Sequence, residues 1–148
     1  MHSVFSDPVL AAYALSAAAV VIILYALGFE TARIRAARKV VVNPEDAGIN
    51  GGAAVAEVEH ADVLRIKRAH LNSLENAVPF LAIGLLYTMT APGPTTARVV
   101  FGVFVLARLL HAAFYLTARQ PFRTLVFVIG ALCNLFMVVQ VLRAALAA

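Results

Sequence analysis

The sequence predicts an all-α membrane protein built as a bundle of four transmembrane helices. Three observations predict it. Of 148 residues, 62% are hydrophobic and only 14% are charged, and the mean hydropathy is +0.87. The apolar residues fall into four long stretches, and the breaks between them carry proline, glycine or charge. Soluble domains run nearer to about 45–50% apolar and about 25% charged. One this small buries only about two-thirds of its surface, so it has nowhere to hide this much apolar side chain. The charge is also too low for a disordered chain. At about 20 residues per span, a single domain over 1–148 has room for four helices.

The first span runs over about 9–36, where no charge falls between Asp7 and Glu30. The N-terminus lacks the positive region of a cleavable signal, so this span is expected to stay in the mature protein. A basic stretch follows (Arg33, Arg35, Arg38, Lys39), then Asn43-Pro44-Glu45-Asp46 and Gly51-Gly52, which break any helix. That makes 37–62 the one long, flexible loop. The second span covers about 63–90, with Asp62 as its expected cap and Pro79 inside it. A membrane helix tolerates such a proline when neighbours satisfy the freed carbonyl. Ala91-Pro92-Gly93-Pro94 turns the chain into the third span, about 95–118. Arg119-Gln120-Pro121 turns it into the fourth, about 122–142.

Lysine and arginine placement sets the orientation. Arg33, Arg35, Arg38, Lys39, Arg65, Lys67 and Arg68 flank the long loop, and Arg119 and Arg123 lie at the third-to-fourth turn. Arg98 and Arg143 stand on the other side. By the positive-inside rule the loop is cytoplasmic and both termini are on the opposite side. The net charge of +4 is therefore read as orientation, and no basic run suits a nucleic acid. One cysteine, Cys133, excludes an intramolecular disulfide framework and a Cys-rich metal site. No internal repeat or broken-helix pair suggests a transporter.

Ionisable residues inside spans are costly and mark function by default. Arg68, Asn72 and Glu75 (i, i+4, i+7) share one stripe of the second span, which Arg65 and Pro79 extend; His70 points away. Arg108, His111 and Tyr115 form a second stripe. Arg123 and Thr124 open the fourth span, and Asn134 lies on a similar face to Arg123. Turned inward, these residues describe a cytoplasm-facing pocket for an anionic polar ligand.

Each also has a plainer reading. Arg65, Lys67 and Arg68 sit where long side chains snorkel to headgroups. Glu75 and Arg108 could pair across helices. His111 could be a packed histidine, Tyr115 an interfacial ring and Asn134 interhelical glue. Cys133 and the phenylalanines fit core or lipid packing. A haem bundle would need His70 and His111 to face one cavity, which their helical positions disfavour.

Several segments resemble the MAPEG family, the membrane-associated proteins of eicosanoid and glutathione metabolism. They are Arg68-Ala69-His70-Leu71-Asn72-Ser73-Leu74-Glu75-Asn76, Pro79-Phe80 and Gly84-Leu85-Leu86-Tyr87. Asn43-Pro44-Glu45-Asp46, Ala107-Arg108 with His111 and Tyr115, and Gln120-Pro121 with Arg123 extend the match over about 9–145. The microsomal glutathione transferase branch is the most similar, because Leu71 follows the motif histidine. The resemblance implies a homotrimer of four-helix protomers that binds glutathione as co-substrate, with no metal. Sites would be shared between subunits near the cytoplasmic face. It implies glutathione contacts at Arg35, Arg68, Asn72, Glu75, Arg108, His111 and Tyr115, and a catalytic Arg123 beside the thiol. Asp46, Thr124 and Phe127 fall at accessory positions.

The implied activity is conjugation of glutathione to hydrophobic electrophiles or lipids arriving from the bilayer, with hydroperoxide reduction as a side activity. The chemistry agrees with the stripes: arginines grip carboxylates, a glutamate takes the ammonium, and a fixed cation activates the thiol. Thr124 and Phe127 depart from the prostaglandin E synthase pattern of serine and tyrosine. A glutathione-dependent isomerase and a non-catalytic lipid-binding scaffold are the alternatives. The arginine- and alanine-rich composition points to a bacterial cytoplasmic membrane, or to the endoplasmic reticulum in a eukaryote.

Overall fold

The computed structural model describes residues 4–147. A short 3-10 turn, Val4–Ser6, leads into α1, Pro8–Arg38. Asp7 caps α1, its carboxylate accepting from the backbone N–H of Val9 at 2.7 Å and of Leu10 at 3.1 Å. Pro8 occupies the helix start, where a missing N–H costs nothing. The helix ends at Lys39, whose φ of 51° is left-handed.

The loop expected to be flexible is more ordered than that. β1 (Val40–Val41) pairs in parallel with β2 (Ala54–Val55), in the register Val40↔Ala54 and Val41↔Val55. Between them lies the one-turn helix α2, Asp46–Ile49. Gly51 and Gly52 turn the chain back at φ 66° and 76°, conformations that glycine adopts freely. A two-residue ladder has no period to read, which is why only its turn residues were visible in sequence.

The remaining helices are α3 (Ala61–Thr88), α4 (Pro94–Leu116) and α5 (Phe122–Leu146). His60 caps α3, not Asp62: its Nδ1 accepts from the Asp62 backbone N–H at 3.2 Å, and the Asp62 carboxylate pairs with Arg38 instead. Among the described residues, α1, α4 and α5 are long and apolar enough to cross a bilayer. The second stretch forms one continuous helix as expected. Its part from Asp62 to Glu75, however, carries Asp62, Arg65, Lys67, Arg68 and Glu75, which lowers its hydropathy below that of its neighbours.

α3 and α4 form the centre of the bundle. Each packs against the other and against both α1 and α5. The core joins Phe80 of α3 to Phe101 and Phe104 of α4 and Met137 of α5. Phe80 stacks on Phe104 with ring centroids 4.1 Å apart and meets Phe101 edge-on at 5.9 Å. Small residues set the helix spacing, as they do in membranes. Tyr13 of α1 lies over Gly84, where a Cβ would come within 3.0 Å of the ring, and its hydroxyl donates to the Leu81 carbonyl at 2.8 Å. α3 continues through Pro79, and Asn134 of α5 donates to the Asn76 carbonyl at 3.4 Å. Asn134 thus links helices, as its plainer reading had it.

Candidate functional site

The charged residues gather where α1 ends, α3 begins and α4 turns into α5. At the centre is Arg108, only 1% exposed. Its Nη2 lies 3.0 Å from Asn72 Oδ1, 3.3 Å from Ser73 Oγ and 3.2 Å from His111 Nδ1. Its Nε and Nη1 have no partner, and no carboxylate pairs with it among the described residues. The expected alternative of a Glu75–Arg108 pair does not form. A buried cation without a counter-charge is expensive, so its polar neighbours matter.

The cluster continues towards α5. His111, 2% exposed, meets the Tyr115 ring at 5.7 Å and the Phe127 ring at 6.1 Å. The Arg123 guanidinium lies 4.4 Å above the Tyr115 ring. Gln120 holds it from the side: with both partners satisfied, the amide nitrogen donates to Thr124 Oγ1 and the amide oxygen accepts from Arg123 Nε at 3.2 Å. Neither the ring nor the amide neutralises this half-buried cation. Asn72, Tyr115, Arg123 and Phe127 reach the surface partly, whereas Arg108 and His111 stand behind them.

A second cluster lies at the loop. Glu59, its side chain 9% exposed, pairs with both Arg35 and Lys67. Burial pushes its carboxyl upward in pKa, but hydrogen bonds from Lys67 and Arg35 outweigh this and hold it below the usual glutamate value. These three residues and Asp46 line a cavity of about 320 Å³. Asp46 accepts from Asn43 Nδ2 at 3.2 Å.

The remaining predicted residues sit apart. Arg68 and Glu75 are exposed on the flank of α3, and Arg68 lines an open groove with His70, Leu71 and Leu74. The expectation that this whole stripe turns inward is therefore corrected. The inward face of α3 is Ala69, Ser73, Asn76, Ala77 and Phe80, and of the polar stripe only Asn72 reaches its edge. Sequence reading gave no role to Ser73, Glu59 or Gln120. A serine in the middle of an apolar helical stripe was the available signal for Ser73. Glu59 of the loop meets Arg35 of α1 at a sequence separation of 24, and no spacing announces that.

The sequence profile of the MAPEG family matches residues 13–143. The chain belongs to the MAPEG family. This MAPEG chain is 41% identical to human microsomal glutathione S-transferase 1 over 150 residues, covering 99% of this chain and 97% of that one. The rat protein of the same name is 40% identical over the same shares. Human prostaglandin E synthase is 36% identical over 143 residues, 95% and 93% of the two chains. With the apolar helices α1, α4 and α5, family membership makes this an integral membrane protein.

Proposed function

We propose that this chain is a membrane-bound glutathione transferase that joins the glutathione thiolate to hydrophobic electrophiles. One observation carries the reading: Arg123 is a half-buried guanidinium fixed by a ring and an amide, with no carboxylate to neutralise it among the described residues. A thiol beside such a cation ionises more readily, and the positive N-terminus of α5 adds to the effect. The thiol proton leaves to solvent. With a chloronitrobenzene the sulfur–carbon bond forms, the carbon–chlorine bond breaks and chloride departs.

In this reading Arg35 and Arg68 grip the two carboxylates of glutathione, Glu75 takes its ammonium, and Asn72 and Tyr115 supply hydrogen bonds. Arg108 and His111 act from behind by fixing Asn72 and Tyr115. Asp46 and Thr124 flank the site, and Phe127 offers no hydroxyl, so thiol activation falls on Arg123. Exposed Arg68 and Glu75 find their role in a homotrimer, where a neighbouring subunit covers the α3 flank and each site is shared. α3 then crosses the membrane alongside α1, α4 and α5, its charged part in the site, with the loop cytoplasmic and both termini opposite. The same thiolate reduces a lipid hydroperoxide when a second glutathione completes the disulfide and water and an alcohol leave.

Conjugation of a chlorinated dinitrobenzene by the purified protein tests the reading, and full activity in Arg123→Ala removes the role given to that residue. The relatedness to prostaglandin E synthase favours a second reading, a glutathione-dependent isomerase. Turnover of a cyclic endoperoxide without net glutathione consumption distinguishes it. A protein that gives no heat with glutathione is instead a non-catalytic scaffold on this fold.

A further inference from the structure

We propose that the cavity at the end of the bundle opposite the 39–60 loop is a binding site for a phosphate ester, held by Tyr87, Thr96, Gln140 and Arg143. The cavity has a volume of about 390 Å³ and lies where α3 ends, α4 begins and α5 ends. It is roughly 20 Å along α4 from Arg108 and roughly 30 Å along α5 from Arg123, so it stands apart from the glutathione reading.

Tyr87 is the central observation. It is 1% exposed, its ring packs edge-on against Phe101 and Phe136, and it lines the cavity. Among the described residues its hydroxyl meets no hydrogen-bond partner, and neither do the side chains of Thr96, Gln140 and Arg143. Four polar side chains thus meet one hollow with their hydrogen-bonding capacity unused within the described residues: Thr96 and Arg143 exposed, Gln140 half-buried and Tyr87 buried. No acidic side chain lines the cavity, and Arg143 supplies a positive charge. Gly93, the N-cap of α4, also lines it and offers no side chain to the first-turn N–H groups. That helix end adds positive potential.

One cation with several neutral donors suits a tetrahedral oxyanion, whose oxygens each accept more than one bond. Phe136 gives the cavity an apolar side. Spanning helices bring their last turns to the depth of the lipid headgroups, so the phosphate comes either from a phospholipid or from a soluble phosphate ester.

Calorimetry on the full chain in uncharged detergent separates these sources. Dihexanoyl phosphatidic acid and glycerol 3-phosphate present the same phosphate monoester with and without acyl chains. Arg143→Gln is expected to weaken binding by about tenfold or more, and Tyr87→Phe, which keeps the ring, by roughly threefold to tenfold. Arg98→Gln removes the same charge on α4 outside the cavity and is expected to change nothing. Preference for the lipid identifies the phospholipid, and equal affinity identifies the soluble ester. Binding of neither probe overturns the proposal. So does wild-type affinity in both cavity variants, or an equal loss in Arg98→Gln. None of these results depends on whether glutathione binds.

Discussion

The guanidinium carbon of Arg123 lies 4.4 Å above the centre of the Tyr115 ring, tying the first turn of α5 to the last turns of α4. The contact fixes the cation without neutralising it. Arg123→Ala is therefore expected to lower conjugation by about 10²-fold, the usual effect of removing one electrostatic stabiliser from a reacting centre. The pH midpoint of the conjugation rate should rise as the thiol loses its cation. Tyr115→Phe keeps the ring beneath Arg123 and should leave that midpoint in place. Tyr115→Leu should move it towards the Arg123→Ala value. A midpoint that ignores both positions shows that the thiol ionises elsewhere.

Arg108 makes an unusual prediction about stability. Its cation is buried among Asn72, Ser73 and His111 with no acid to balance it. Asn72→Leu withdraws one acceptor and leaves the charge in place, which is expected to cost about 1–3 kcal/mol. Arg108→Met removes the charge and keeps the volume, so its stability should lie near wild type or above it. Both variants should lose glutathione affinity, because the first deletes a contact and the second frees Asn72 from its support. Thermal melting and calorimetry on the same preparations separate the two effects. A larger loss of stability in Arg108→Met than in Asn72→Leu contradicts this account.

The α4 stripe was legible in sequence because Arg108, His111 and Tyr115 share one helical face, and that face packs inward. The α3 stripe was legible as a stripe but not in its direction. Arg68, Asn72 and Glu75 lie beside Ala69, Ser73 and Asn76, and periodicity gives no preference between adjacent faces that both mix polar and small residues. The aromatic core around Phe80 decides it, with α1 and α5 closing on either side. Long-range partners were beyond reach for a different reason. Glu59 finds Arg35 through the fold of the loop, and Tyr87 and Arg143 come to line one cavity through the convergence of three helix ends. Gln120 was visible as a turn residue and in the Gln120-Pro121 match, but not as a partner of Arg123, because its grip depends on how the turn directs the amide.

Gly84 reports on the seam between α1 and α3. A methyl group there would stand 3.0 Å from Tyr13 Cε2, and the ring has little room to retreat. Its hydroxyl is held by the Leu81 carbonyl, and Phe101 packs on it at 5.7 Å. Gly84→Ala is expected to destabilise the protein by about 1–3 kcal/mol despite the better helix propensity of alanine. Combining it with Tyr13→Leu, which removes the crowded ring, should recover part of that loss. A double-mutant cycle of melting temperatures measures the coupling. Strict additivity of the two changes removes the steric explanation.

Glu59 gives the protein an acid-sensitive loop. Its carboxylate joins Arg35 at the end of α1 to Lys67 in α3, and in the folded chain its pKa lies below the ordinary 4.5. The unfolded chain binds this proton more readily than the folded one does. The stabilisation is therefore fully present above pH 4.5 and declines as the pH falls below that value through the folded pKa. Glu59→Gln should melt lower than wild type at neutral pH, because two cations lose their shared partner. It should also lack this acidic step, so the two melting curves converge as the pH is lowered. High salt should narrow the gap at neutral pH only partly, since the carboxylate is largely buried. Parallel pH profiles for the two proteins show that another group carries the acid sensitivity.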